Sequence, residues 1–330
     1  MDFISSNRPE NKPYLQLLML IFYALLGMVV FSLLTVVLLW IKYGLEGLMN
    51  FQELLSGAEN MFILRVSVTA QQLGLFLCPA VLLAIAERKG MNRFYGFNKP
   101  HPAILGLVVV ISICAMPAME WITSLNQEMV LPSFLKELEN WMKESEKNAM
   151  EATMAFLKMS TFWDYLLNMG MIALLPAIAE EMLFRGALQR TFLRITGHPH
   201  LTIWLCAIIF SAIHMQFYGF LPRMLLGAGF GYLYYWTGSL WYTIFAHFLN
   251  NGYQVTVVWY MQMKGMPMSM TEKTMDTPWY GYLISAILTL TLFRFLKSAI
   301  VKIRSQEENT GRRRYNCFPM NNEDEKIKNN

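Results

Sequence analysis

The sequence predicts an all-α polytopic membrane protein, a bundle of about eight transmembrane helices around an internal polar cavity. Three observations carry that expectation. Hydrophobic residues make up 55% of the 330-residue chain and charged residues only 15%, where a soluble domain carries about 25%. Mean hydropathy is +0.34. The charges are also unevenly spread, leaving long windows without Asp, Glu, Lys or Arg, and about 20 apolar residues suffice for a membrane helix. This balance excludes a typical cytosolic enzyme, a disordered chain and a secreted disulfide scaffold. A net charge of +4 gives no argument for a nucleic-acid partner. Cys78, Cys114, Cys206 and Cys317 show no CxxC spacing, so neither a disulfide framework nor a zinc knuckle is expected. The 25 methionines suit an adaptable apolar interior.

The windows give the elements in order. The first span lies between Lys12 and Lys42, roughly Tyr14 to Trp40. It is too long for a removable signal peptide and lacks a small-residue cleavage site. The second lies between Arg65 and Glu87, and the third between Lys99 and Glu120. A fourth starts at Asp164 and is interrupted by charge from Glu180 onward. Arg194 to Arg223 holds the fifth. Thr237-Gly238-Ser239 splits the next window into helices at about 221–236 and 239–260, and Asp276 to Arg294 holds the last. Between spans three and four, Leu131–Ser160 is the one long loop. Ser133 is placed to cap a helix there, and Leu135, Leu138, Trp141 and Met142 recur on one stripe, predicting an amphipathic helix on the outer membrane surface. The tail after Ile303 is polar and is expected to be disordered. Basic residues in the Glu87–Lys99 loop, at Arg190 and Arg194, and in the tail fall on one side together with the N-terminus. The positive-inside rule makes that side cytoplasmic, with both termini there.

Ionisable groups inside spans are costly and are functional suspects by default. Span four holds Glu180, Glu181 and Arg185; span five holds His214; span seven holds His247, Asn250 and Asn251. At 1.5 Å rise per residue, Glu180, His214 and His247 each lie about ten residues, or ~15 Å, from the cytoplasmic surface. Glu181 and Arg185 share a face at i,i+4 and can pair, while Glu180 is turned about 100° away. His247 and Asn251 likewise share a stripe. A carboxylate near a histidine can hold and deprotonate a water, and an imidazole with a carboxamide can donate to an oxyanion. Glu with two His also matches the three protein ligands of a catalytic zinc site. Both versions describe hydrolysis within the membrane, and the residues alone leave the choice open. The Gly227-Ala228-Gly229-Phe230-Gly231 run sits inside an apolar span and predicts close helix packing rather than phosphate binding.

In their order and spacing these residues resemble the motifs of the CPBP family of intramembrane proteases, also called the Abi or type II CAAX prenyl endopeptidase family. Glu180, Glu181 and Arg185 match EExxxR, Phe210 and His214 match FxxxH, and His247 and Asn251 match HxxxN. The resemblance covers about residues 180–251. It implies eight helices and a cavity open to the cytoplasm, in a multi-pass protein of the plasma (inner) membrane. It implies that Glu180 activates water with His214, that His247 and Asn251 form the oxyanion site, and that Glu181, Arg185 and Phe210 are structural or orienting. In a metal-dependent version Glu180, His214 and His247 would bind zinc; otherwise no cofactor is implied. The implied partners are membrane lipid and a peptide or membrane-anchored protein substrate.

The division that follows is helices one to three in 1–125, the outer amphipathic loop in 126–161, the catalytic core in 162–260, a last helix in 261–300 and the tail in 301–330. Other intramembrane proteases fit less well. No His precedes Glu as HExxH requires, Gly238-Ser239 lies in a turn, and only Asp164 and Asp276 lie near spans. The rival expectations are a non-enzymatic immunity or regulatory protein using the same cavity, and a proton-coupled transporter.

Overall fold

The computed structural model describes residues 9–50, 60–266 and 277–309, and among these there is helix but no strand. α1 runs Pro13–Met49 with Pro13 at its first turn, and its backbone breaks at Gly44. α2 starts at Asn60, passes through a π-helical turn at Gln72–Leu77 and ends at Ala86. A short α3, Met91–Tyr95, leads to α4, Pro102–Gln127, whose first turn is capped by the His101 side chain accepting from the Ala103 N–H at 3.3 Å. α5, Lys136–Phe156, is the expected amphipathic helix. Ser133 does not cap it; a 3-10 turn over Ser133–Leu135 precedes it, and Pro132, not Ser133, marks the entry.

α6 is a composite rod from Phe162 to Thr196. It begins with a capping box between Thr161 and Asp164 and carries π-helical turns at Met169–Leu174 and Met182–Gln189. α7 is Pro199–Ala212, α8 is Phe220–Thr237 and α9 is Leu240–Met263, with Gly238 between the last two in the left-handed conformation at φ 61°. α10 runs Trp279–Asn309, so helix continues past the expected boundary at residue 300; residues 310–330 of the tail lie outside the described residues.

Five of the described helical rods are long and apolar enough to cross a membrane: α1, α2, α4, α6 and α10. α7 is apolar but only 14 residues long. α8 and α9 carry Arg223, His247, Asn250, Asn251 and Gln254, which lowers their hydropathy. The difference has a physical basis. α1 meets the surroundings with Leu18, Phe22, Leu33 and Ile41 exposed, as a lipid-facing helix must. α8 and α9 instead bury much of their length among Leu233, Tyr234, Tyr242 and Val255. A helix screened from lipid by its neighbours need not be uniformly apolar. The chain is therefore a multi-pass, all-α membrane protein in which polar groups concentrate on the inner rods.

Small residues set the closest approaches. A Cβ at Gly27 would sit 2.1 Å from the Gly74 carbonyl oxygen, so α1 and α2 cross at backbone contact. A Cβ at Gly227 would meet Phe210 at 3.1 Å, and one at Gly231 would meet Ile203 at 2.9 Å, which is the close α7–α8 packing expected of the glycine run.

Polar contacts define the two ends of the bundle. At the N-terminal face Glu10 pairs with Arg190 and Arg194, Gln16 donates to Glu87 at 2.9 Å, Asn98 donates to the Gly238 carbonyl at 2.9 Å, and Arg304 donates to the Trp236 carbonyl at 2.9 Å. At the opposite face Asn126 donates to the Phe217 carbonyl at 3.1 Å, Gln262 donates to the Leu157 carbonyl at 2.8 Å, and Arg65 lies 3.6 Å from Asp164.

Burial opposes ionisation of Glu10, but the Arg190 hydrogen bond and the charges of Arg190 and Arg194 outweigh it and hold its pKa below the usual 4.5. A carboxylate with a lowered folded-state pKa adds stability above its unfolded value, and that stability is lost as pH falls through the folded one. The thermal midpoint of the purified protein should therefore fall on acidification below about pH 5 more steeply than that of Glu10→Gln. Parallel curves would remove Glu10 from the list of stabilising groups.

Candidate active site

α6, α7, α8 and α9 converge on a cavity of about 730 Å³, completed by α2, α4 and α5. Glu180, His214, His247 and Asn251 all line it, so the four residues singled out as catalytic meet at one cavity. Glu180 and His247 form its buried floor, each 5% exposed, with His247 Nε2 3.9 Å from Glu180 Oε2. Its rim includes the exposed Ala152 and Thr153 of α5. Much of the remaining wall is apolar, including Val68, Met119, Ile172 and Leu226.

Beneath the floor lies a buried ionic cluster. Glu181 Oε1 accepts from Arg185 Nη1 at 2.6 Å and from His247 Nδ1 at 2.8 Å. The helical pair places cation and anion one turn apart, and Arg185 then reaches α8, donating to the Gly227 carbonyl at 3.0 Å. The missing side chain at Gly227 leaves room for that approach. The guanidinium lies 4.7 Å from the Phe210 ring and 5.3 Å from the Phe230 ring. Phe210 thus has an identifiable role: it packs on Arg185, and its ring meets both His214 and His247 edge-on, at 5.1 and 6.1 Å between centroids.

These contacts constrain the proton inventory. A carboxylate only accepts, so His247 Nδ1 carries hydrogen toward Glu181. Its Nε2 can donate into the cavity only when the ring holds both protons. His214 Nδ1 donates to the Phe210 carbonyl at 2.7 Å, so in the neutral ring Nε2 keeps its lone pair. Asn251 Nδ2 donates to the Ile172 carbonyl at 3.2 Å, and its Oδ1 accepts from Asn250 at 3.1 Å. One Asn251 N–H therefore stays available.

Among the polar residues that line the cavity without standing out in the sequence are Gln72 and Arg223. Gln72 on α2 donates to Glu180 Oε1 at 3.0 Å. Gln71-Gln72 inside an otherwise apolar window was the available signal. Arg223 also lines the cavity, held by the Gln216 side chain at 2.7 Å. The sequence analysis used it only as the boundary of a charge-free window. Among the described residues no group of three or more His, Cys, Asp and Glu is arranged to hold a metal ion.

The cavity also decides a point of geometry. Its lining comes from Leu64–Gln72, Met119–Thr123, Ala152–Leu157, Met171–Glu180 and Gly219–Phe230, which lead to the face opposite the N-terminus. Toward the N-terminal face it is closed by buried Glu181, Arg185, Gln189, Tyr95 and Tyr234. Glu10, Arg190 and Arg194 lie at the other end of the bundle from this lining.

Removing one partner of a buried ion pair strands the other. Arg185→Met should cost about 3–5 kcal/mol, seen as a large drop in thermal midpoint, whereas the double change Glu181→Leu/Arg185→Met should cost less. A loss in the double variant equal to the sum of the Glu181→Leu and Arg185→Met losses would show that the pair is not coupled.

Residues 162–253 match the family model of the type II CAAX prenyl endopeptidases, Rce1-like. Over 82 residues the chain is 35% identical to uncharacterized protein YpbD of Bacillus subtilis (strain 168), a match covering 24% of this chain and 39% of that protein. The match thus spans well under half of that relative's length. No solved structure matches the chain. Residues 162–253 are accordingly Rce1-like, with Glu180, Glu181, Arg185, Phe210, His214, His247 and Asn251 inside the matched segment, in agreement with a CPBP-type core.

Proposed function

We propose that the protein is an intramembrane endopeptidase that hydrolyses a peptide bond in its cavity. The observation that carries the reading is the pairing of Glu180 with His247 on the floor of a cavity whose family match is to CAAX-type endopeptidases. Glu180 is held at Oε1 by Gln72 and keeps Oε2 for a water. That oxygen takes a proton from the water as its oxygen attacks the scissile carbonyl carbon. His214, with its Nε2 lone pair, orients the same water. The developing oxyanion accepts from the remaining Asn251 N–H and from His247 Nε2 when its ring is doubly protonated. Glu181 holds His247 in place and balances its charge. Glu180 then returns the proton to the leaving nitrogen, the C–N bond breaks, and a carboxylic acid and an amine result, the acid giving up its proton to the amine to leave a carboxylate and an ammonium. Glu180, His214, His247, Asn251 and Gln72 all line the cavity, which supports this reading.

The core division at 162–260 follows from this reading, since all its groups except Gln72 lie there. Lipid surrounds the outer helices, and a peptide or membrane-anchored protein is the substrate. The test is hydrolysis of a quenched peptide pool by the purified full chain, with and without chelator. Glu180→Gln should lower kcat by about 10²–10⁴-fold, the usual range for general-base loss. Cleavage by the unaltered protein should persist in chelator. Equal cleavage by Glu180→Gln would end the assignment of Glu180, and loss of cleavage on chelation would require a metal in the reaction.

A further inference from the structure

We infer that the cavity opens on the extracytoplasmic side, so that the substrate is a polypeptide segment presented from outside the cytoplasm. Two independent observations combine. The first is the position of the mouth, at the end of the bundle that carries α5, the Asn126–Phe217 contact and the Gln262–Leu157 contact, away from Glu10, Arg190 and Arg194. The buried cluster of Glu181, Arg185 and Gln189 seals the other end.

The second is the charge in the connections. On the N-terminal face the connection 87–101 and the last turns of α6 leading into 197–198 hold six Lys and Arg: Arg88, Lys89, Arg93, Lys99, Arg190 and Arg194; the α8–α9 connection at 238–239 adds none. The acid there is Glu87 alone. On the opposite face the connection 213–219 holds no Lys or Arg, 50–59 holds two Glu and no Lys or Arg, 264–278 holds Lys264 and Lys273 against Glu272 and Asp276, and the long connection 128–161 holds four Lys against six Glu. Short basic connections stay in the cytoplasm, and long ones cross more freely regardless of charge. The rule therefore fixes the N-terminal face as cytoplasmic, and the mouth faces outward.

α5 fits the outer position. It exposes Leu138, Trp141 and Met150, with Phe134 just before it, while Ala152, Thr153 and Phe156 wall the cavity. A helix of this kind lies in a membrane surface with its apolar residues among the acyl chains. It would border the route by which an outer-leaflet segment reaches Glu180. Depth agrees as well, since a water drawn through this mouth meets Glu180 without passing the ionic seal.

The substrate statement rests on the hydrolytic reading, but the sidedness does not, and the experiment separates them. In intact cells producing the full chain with Cys78, Cys114, Cys206 and Cys317 replaced, single cysteines are placed at exposed positions. Lys147→Cys and Glu151→Cys report on α5; Arg93→Cys and Lys99→Cys report on the N-terminal face. A membrane-impermeant maleimide should label the α5 pair at once and the other pair only after permeabilisation, with at least a tenfold difference in signal. The reverse pattern, or equal labelling of both pairs, overturns the inference and leaves hydrolysis at Glu180 standing. Outward labelling with no hydrolysis by the unaltered protein would retain the orientation and remove the enzyme.

Discussion

The buried contact among Arg185, Glu181 and His247 is the constraint on which the rest of the site depends. A charge taken into a lipid-embedded bundle costs several kcal/mol unless it is paired and hydrogen-bonded. Arg185 meets that condition with one carboxylate, one backbone carbonyl and two aromatic faces, drawn from α6, α7 and α8. Glu181 then has an oxygen that serves both Arg185 and His247, which ties α9 to the same point. Four helices are thus positioned by one cation and one anion. The imidazole they fix is the one that faces Glu180.

Much of this was legible in the sequence because it depends on spacing within single helices. Glu181 and Arg185 are one turn apart, and a helix brings such residues together whatever surrounds it. The long apolar windows likewise found the lipid-facing rods. What escaped depends on contacts between distant segments. Gln72 reaches Glu180 across 108 residues of sequence, and nothing in α2 alone distinguishes it from a polar residue at a helix crossing. The π-helical turns in α2 and α6 also widen the helix, so that phase counted at 100° per residue drifts beyond them.

The count of spans shows the same boundary. Apolarity marks helices that face lipid, and α8 and α9 face protein and a polar cavity. Their sequences are shaped by the site, and α7 is apolar but only 14 residues long, which is why five of the described rods rather than eight satisfy a test of length and hydropathy. Ser133 illustrates the limit of local signals: a capping residue needs the chain to enter the helix at its own position, and here Pro132 and a 3-10 turn set the entry instead. Orientation was a separate matter. Loop charge bears on which face of the bundle is cytoplasmic, while the cavity's place along the helices comes only from the residues that line it.

The central claim is that Glu180 and His214 act on one water as a unit. Groups that act as a unit lose their effect together, so their deletions are not additive. The direct measurement is kcat for Glu180→Gln, His214→Ala and the double variant on one cleaved peptide. The account predicts that the double variant is no slower than the slower single variant. Losses that multiply would show that the two residues act independently, and the shared-water arrangement would be wrong.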